Sequence, residues 1–276
     1  MPRIRSGFRY FGLLFRKEEP VGPAALFDLE DRLRFWRRAV LLFSGGLDST
    51  LLLAAGARAL KDGLTALTFV GPHAAPGELA AAFRLARRWG VRHILEKFDP
   101  LELPDFRKNN PARCYACKKA VFQRGREVAE ALGAEALWDG TNRDDMEDFR
   151  PGLKAARELG IISPLRDAGF GKPEIRKISR SLGLPWDRPA QSCLATRFPY
   201  GVELTREALA RVGRAEAWLR SRGFSHVRLR VRGEQTVLEL DAGELARFLA
   251  PEIRRPFQAL LRRLGWGEVE LNHGGP

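Results

Sequence analysis

Seven consecutive residues, Ser44-Gly45-Gly46-Leu47-Asp48-Ser49-Thr50, concentrate groups that suit one task. The two glycines let backbone approach a ligand closely, and three hydroxyls with a run of N–H groups can surround a phosphate. No lysine precedes the Ser-Thr pair, so the segment is not a Walker A loop. A second group, Arg113-Cys114-Tyr115-Ala116-Cys117-Lys118, sets two thiols one helical turn apart, a spacing that suits zinc, an iron–sulfur cluster or a redox pair. Its basic neighbours favour the thiolate. The third cysteine, Cys193, sits between Arg188 and Arg197 in Gln191-Ser192-Cys193-Leu194-Ala195-Thr196-Arg197, where a reactive thiolate is expected rather than a core side chain. Three thiolates would fill three corners of a 4Fe-4S cubane and leave one iron open to another ligand. Structural zinc would need a fourth donor, and none of His73, His93, His226 and His273 has a convincing local spacing. Finally, Arg228-Leu229-Arg230-Val231-Arg232 alternates so that a strand would carry its three guanidiniums on one face, a geometry suited to phosphate. Asp48, Asp139, Asp144 and Glu203 are candidates to hold magnesium or orient a substrate, and spacing alone does not choose among them.

These groups need elements to hold them. Residues 39–43 form a short apolar run ending at Ser44, and 51–60 has helical periodicity, so the glycine turn lies between a strand and a helix. Strands are expected at 64–70, 92–98 and 134–138, alternating with helices at 25–38, 77–89 and 115–132. Such alternation predicts a parallel sheet with helices on both faces. The last of these strands runs into Asp139-Gly140-Thr141-Asn142, and ligands of open parallel sheets gather at the carboxyl ends of strands. Both glycine turns should therefore face one crevice. Shorter helices follow at 152–159 and 172–182, then a long loop, 185–201, whose Trp186, Phe198 and Tyr200 argue against disorder. A helix at 206–221, strands at 227–231 and 236–240, a helix at 244–264 and a strand at 268–271 predict a small α+β domain. The expected organisation is an N-terminal extension (1–24), an α/β domain holding both glycine turns and the three thiols (25–202) and a C-terminal α+β domain for substrate binding or oligomerisation (203–276).

The chain has 276 residues, 45% of them hydrophobic, enough for a large core and a smaller one. Three cysteines do not make a disulfide scaffold in a chain of this length. No apolar run approaches the roughly 20 residues needed to cross a bilayer, and the N-terminal stretch lacks the features of a secretory signal, so a cytoplasmic protein is expected. With 47 Lys and Arg against 34 Asp and Glu, the formal net charge is +13. Such a surface attracts phosphates on a nucleotide or on RNA, although arginines on helices such as 245–264 also serve as a solvated face.

The loop at 44–50 resembles the SGGxDS signature of PP-loop ATP pyrophosphatases, which hold the pyrophosphate of ATP and release AMP-activated intermediates. The wider span from Ser44 to Gly201 resembles the LarE family of sulfur transferases. The similar stretches are 44–49, 113–118, 139–144, Arg150-Pro151-Gly152, Ser163-Pro164-Leu165, Glu174-Ile175-Arg176 and 189–201. The resemblance implies ATP and Mg2+ as cofactors, and adenylation of the carboxylates of a pyridinium biscarboxylate mononucleotide followed by conversion to thiocarboxylates. It assigns Ser44, Gly45, Gly46, Asp48, Ser49, Thr50 and Gly140 to the nucleotide, and Arg230 and Arg232 to the substrate phosphate. Asp48 and Cys193 are the catalytic candidates.

Members of this family differ in sulfur source. In one kind the cysteine matching Cys193 gives up its own sulfur. In the other, the residues matching Cys114, Cys117 and Cys193 bind a 4Fe-4S cluster that carries an extra sulfide. All three are present here, and the cluster is expected, with sulfide or another sulfur donor as a partner and a homo-oligomer as the assembly. One rival is a PP-loop enzyme that thiolates tRNA, which the charge suits but the lack of a zinc ribbon or RNA-binding module speaks against. Another is a non-catalytic nucleotide- or zinc-binding protein.

Overall fold

The structure, a computed structural model, describes residues 23–146, 151–187 and 192–272. Nearly all of the expected N-terminal extension lies outside the described residues, as do Arg150, Arg188, Gln191 and His273. The chain divides into two compact units. The first comprises Met1–Val70, Glu78–Phe98 and Cys114–Arg188, and the second Gly71–Gly77, Asp99–Arg113 and Pro189–Pro276. The loop carrying Cys193 thus packs with the C-terminal residues rather than with the segment before it.

In the first unit the order is α1 (Pro23–Leu33), β1 (Ala39–Leu42), α2 (Leu47–Leu60), β2 (Leu64–Val70), α3 (Glu78–Arg88) and β3 (Arg92–Lys97). The short α4 (Pro104–Arg107) belongs to the second unit, and α5 (Arg113–Ala131), β4 (Ala136–Trp138), α6 (Pro151–Glu158), α7 (Pro164–Asp167) and α8 (Lys172–Ser181) follow. The strands pair in the order β3-β2-β1-β4, all parallel, as the alternation predicts. Side chains of β1 alternate between two cores. Ala39 and Leu41 join Leu29 and Leu33 of α1, Leu51 to Leu53 of α2 and Ile175 and Ile178 of α8, while Val40 joins Phe122 of α5 and Ala155 and Ala156 of α6. Both faces are covered, the condition under which parallel sheets occur. The chain leaves β1 for β2 on one side and returns to β4 on the other. The carboxyl ends of β1 and β4 therefore form the switch point where such sheets bind ligands.

The second unit contains α9 (Arg206–Arg220), β5 (Arg228–Arg232), β6 (Gln235–Glu239), α10 (Ala242–Leu249), α11 (Pro251–Arg263) and β7 (Val269–Asn272). Strands β5 and β6 form an antiparallel hairpin, and β7 runs parallel to β6. Leu219, Leu229, Leu238, Phe248, Phe257 and Leu261 are buried in this unit, with the Phe248 and Phe257 rings 5.7 Å apart edge to face. The single helix expected at 244–264 is two helices. Ala250 precedes Pro251 and adopts φ −58° and ψ 131°, the extended conformation that a following proline imposes.

Candidate active site

The phosphate loop forms because β1 ends at Leu42 and α2 begins at Leu47, with Gly46 as its N-cap. Gly45 has φ +75°, and a Cβ there would lie 3.1 Å from that of Ala82, so the turn demands glycine twice over. The Ser44 hydroxyl lies 3.1 Å from that of Ser49 and accepts the Gly46 N–H at 3.3 Å, which curls the loop around the helix N-terminus. Gly140 closes the other side. A Cβ there would stand 3.1 Å from the Ser49 nitrogen, so the second glycine turn lies directly against the first, as the shared crevice requires. Beside it, buried Asp139 accepts hydrogen bonds from the Thr141 N–H and hydroxyl. Burial raises the pKa of Asp167, and repulsion from Asp139 adds to the rise against the opposing pull of Arg166. The Thr50 side chain is buried at the start of α2, and its hydroxyl has no hydrogen-bond partner.

Two supports of this loop have no sequence motif. Lys172, the first residue of α8, places its ammonium 2.6 and 2.8 Å from the two carboxylate oxygens of Asp48. Its own N–H donates to Asp144, which is tied to Arg143, while Arg143 also pairs with Glu174. Lys172 is thus held by its backbone and aimed by its neighbours. Behind the loop, the Thr68 hydroxyl donates to the carbonyl of Phe43, the residue before Ser44. With that proton committed, His93 Nε2 must donate to Thr68 Oγ1 across 2.7 Å, which fixes the tautomer. His93 Nδ1 is buried without a hydrogen-bond partner, and burial lowers the pKa of the ring.

The thiols are distributed over both units. Cys114 and Cys117 lie in the first turn and a half of α5, the former exposed and the latter half-buried. The basic residues beside them are engaged elsewhere. Arg113 is buried, donates to Asn109 Oδ1 at 2.6 Å and stacks on Tyr200, and Lys118 lies over the Phe122 ring. In the second unit, half-buried Cys193 caps a 3-10 turn, Leu194–Arg197, and the Leu194 N–H donates to the His73 carbonyl. Arg197 is 1% exposed, and all three of its guanidinium nitrogens make hydrogen bonds. It donates to Glu216, which is 0% exposed, and to the hydroxyls of Ser192 and Thr196. The carboxylate of Glu216 also accepts from Arg220 and from the Leu229 N–H of β5.

On β5, Leu229 and Val231 are buried, and Arg228, Arg230 and Arg232 share the opposite face, as the alternation predicts. Arg230 makes a two-pronged contact with Glu239 and donates to the Thr196 carbonyl at 2.8 Å. Burial lowers the pKa of Arg228, and the like charges of Arg197 and Arg230 push the same way. An anion on this face would relieve that crowding. Glu203 is spent on Arg107 in the second unit.

As to groups the fold implies, the Asp48 carboxylate already attracts a cation in the form of the Lys172 ammonium, so its chemistry fits a magnesium ion shared with phosphate oxygens. Thiolate donors fit iron. Among the described residues, however, no three His, Cys, Asp or Glu side chains stand together in a metal-holding arrangement.

A parallel sheet whose first strand passes through a two-glycine turn into a helix, closed by a third glycine and a carboxylate, defines an α/β protein of the PP-loop class. The asparagine synthase family profile, a member of that superfamily, matches residues 29–123. A protein of Synechocystis sp. is 42% identical over 213 residues, 77% of this chain and 80% of the relative. The pyridinium-3,5-bisthiocarboxylic acid mononucleotide synthase of Lactiplantibacillus plantarum is 35% identical over 254 residues, 91% of this chain and 89% of that enzyme. The 7-cyano-7-deazaguanine synthase of Desulforudis audaxviator is 29% identical over 184 residues, covering 54% of this chain and 84% of the relative. The chain belongs to the LarE family and is an ATP-dependent sulfur transferase.

Proposed function

We propose that this enzyme adenylates the carboxylates of pyridinium-3,5-biscarboxylic acid mononucleotide and converts them to thiocarboxylates, a step in making the nickel-pincer nucleotide cofactor. The observation that carries the reading is the glycine loop, with Gly45 pressed against Ala82, Gly140 pressed against Ser49, and Asp48 and Ser49 opening α2 between them. The loop N–H groups and the hydroxyls of Ser44 and Ser49 would hold the β- and γ-phosphates of ATP, and Asp48 would hold magnesium. A substrate carboxylate oxygen attacks the α-phosphorus, the bond to the β-phosphate oxygen breaks, and pyrophosphate leaves. The acyl adenylate is then open to a sulfur nucleophile at the acyl carbon, with AMP as the leaving group. Arg230 and Arg232, beside Arg228, would bind the phosphate of the mononucleotide.

For the sulfur, the reading is a 4Fe-4S cluster on Cys114, Cys117 and Cys193. Such a cluster would supply a sulfide held ready for transfer. These thiols are the donor type it needs, and two of them share adjacent turns of one helix. The alternative is Cys193 as its own sulfur donor, its thiolate attacking the acyl adenylate directly. Anaerobic purification decides between them. The cluster reading expects brown protein containing iron and labile sulfide, repeated turnover with added sulfide, and loss of cluster and activity together in Cys114→Ala, Cys117→Ala or Cys193→Ala. Colourless, iron-free protein that transfers sulfur once and leaves Cys193 lighter by the mass of hydrogen sulfide would establish the alternative.

A further inference from the structure

A pocket of about 340 Å³ in the second unit, open to solvent, shares no residue with the phosphate loop or with the arginines of β5. Its wall is a stripe of α9, Glu207, Arg211 and Arg214, at the helical spacing that puts all three on one face. Arg263, in the last turn of α11, and Leu264-Gly265 complete it. Three guanidiniums and one carboxylate thus border a space at the lower end of the size range of small-molecule sites.

The arginines here differ from those elsewhere in the unit. Arg197, Arg220 and Arg230 are all engaged with carboxylates, whereas Arg211, Arg214 and Arg263 form no ion pair among the described residues, and Glu207 does not close on Arg211 four residues away. Arg211 is also held in place. Its guanidinium stacks on the Trp266 ring at 4.4 Å, and its Nε is buried with no hydrogen-bond acceptor. Stacking fixes the plane of the fork, whose terminal nitrogens make no hydrogen bond among the described residues. A guanidinium so prepared matches the oxygens of a phosphate group and loses little freedom on binding one. Glu207 and the carbonyl end of α11 temper the positive field, but three guanidiniums still outnumber one carboxylate.

We propose that this pocket is a further anion site, apart from the phosphate loop and the β5 arginines, for a small molecule carrying a phosphate group, with Arg211, Arg214 and Arg263 as its ligands. The chemistry is shared by free phosphate and by a phosphomonoester, and calorimetric titrations of the full chain at constant ionic strength with inorganic phosphate and with ribose 5-phosphate distinguish them. Tighter binding of ribose 5-phosphate identifies a phosphomonoester, whereas equal affinities identify the phosphate group alone. Arg214→Gln and Arg263→Gln, both at exposed positions, should each weaken binding about tenfold or more, the loss expected when a charge-assisted contact is removed. Glu207→Gln should tighten it, and the KM for ATP should not move in any of the three. Phosphate affinity unchanged in Arg214→Gln and Arg263→Gln, or abolished by Ser49→Ala or Arg230→Ala, would place the binding at the phosphate loop or on the β5 arginines and overturn the proposal.

Discussion

At the mouth of the phosphate loop, Asp48 offers both carboxylate oxygens to the Lys172 ammonium. On the proposed reading, that ammonium would serve the departing pyrophosphate, since a fixed positive charge is most useful where negative charge builds up. If the loop and not the core supplies the phosphate contacts, as proposed, Asp48→Ala and Ser49→Ala should abolish pyrophosphate release with the fold intact. Lys172→Ala should slow release by about 10² in kcat, the usual cost of removing one stabilising donor. Pyrophosphate assays on the three variants check this, and an undiminished rate in Lys172→Ala would reduce the lysine to a structural counter-ion. The loop was legible in the sequence because all its groups fall within seven residues. Lys172 was not, because it lies 124 residues from its partner and only the packing of α8 against α2 brings the two together. The same limit applied to Arg113 and Arg197. By adjacency they read as activators of neighbouring thiols, but their guanidiniums are committed to Asn109 and Glu216.

At the scale of elements, β1, β2 and β3 form a relay that ends at the loop. His93 of β3 donates to Thr68 of β2, which donates to the Phe43 carbonyl just past β1. Because burial lowers the His93 pKa below 6.5, the unfolded chain takes up this proton first as pH falls, so the linked stability is present above that value and is lost as pH drops through it. Urea midpoints at pH 7.5 and 5.5 should therefore fall further for the wild type than for His93→Gln. Equal losses would mean that the ring is not a source of the pH dependence; His73, whose pKa burial also lowers, leaves a residual slope. On the β5 hairpin, Arg230→Ala and Arg232→Ala should weaken the mononucleotide far more than ATP, and equal losses for both ligands would reveal only a general field. The strands and their parallel pairing followed from alternation and glycine turns, whereas their order, β3-β2-β1-β4, came only from the fold. The split between α10 and α11 was missed because periodicity continues across Ala250, while Pro251 sets the backbone there.

For the whole molecule, a net charge of +13 suggests a surface waiting for polyanions, yet part of the arginine complement is used inside the second unit. Glu216 binds Arg197 and Arg220 together with a backbone N–H of β5, joining α9, the Cys193 turn and the strand that bears the arginines. Removing one member of a buried ionic group leaves the others uncompensated. Glu216→Gln should accordingly cost about 3–5 kcal/mol of stability, measured by denaturant unfolding, a loss too large for a surface pair. A change under 1 kcal/mol would show that the group contributes little. Composition reports how many arginines exist, and only the fold tells which remain available. No helix among the described residues is long and apolar enough to cross a membrane.

The strand order has a further consequence for how the chain acquires its shape. β1 pairs with β2 immediately after it, but its other edge waits for Ala136 to Trp138. During synthesis the nucleotide loop can therefore be formed on one side only until β4 has emerged, and closing a parallel pair across so long a stretch is intrinsically slow. Ribosome-bound chains halted before Trp138 should expose the apolar edge of β1 and bind chaperones, and those halted well beyond it should not.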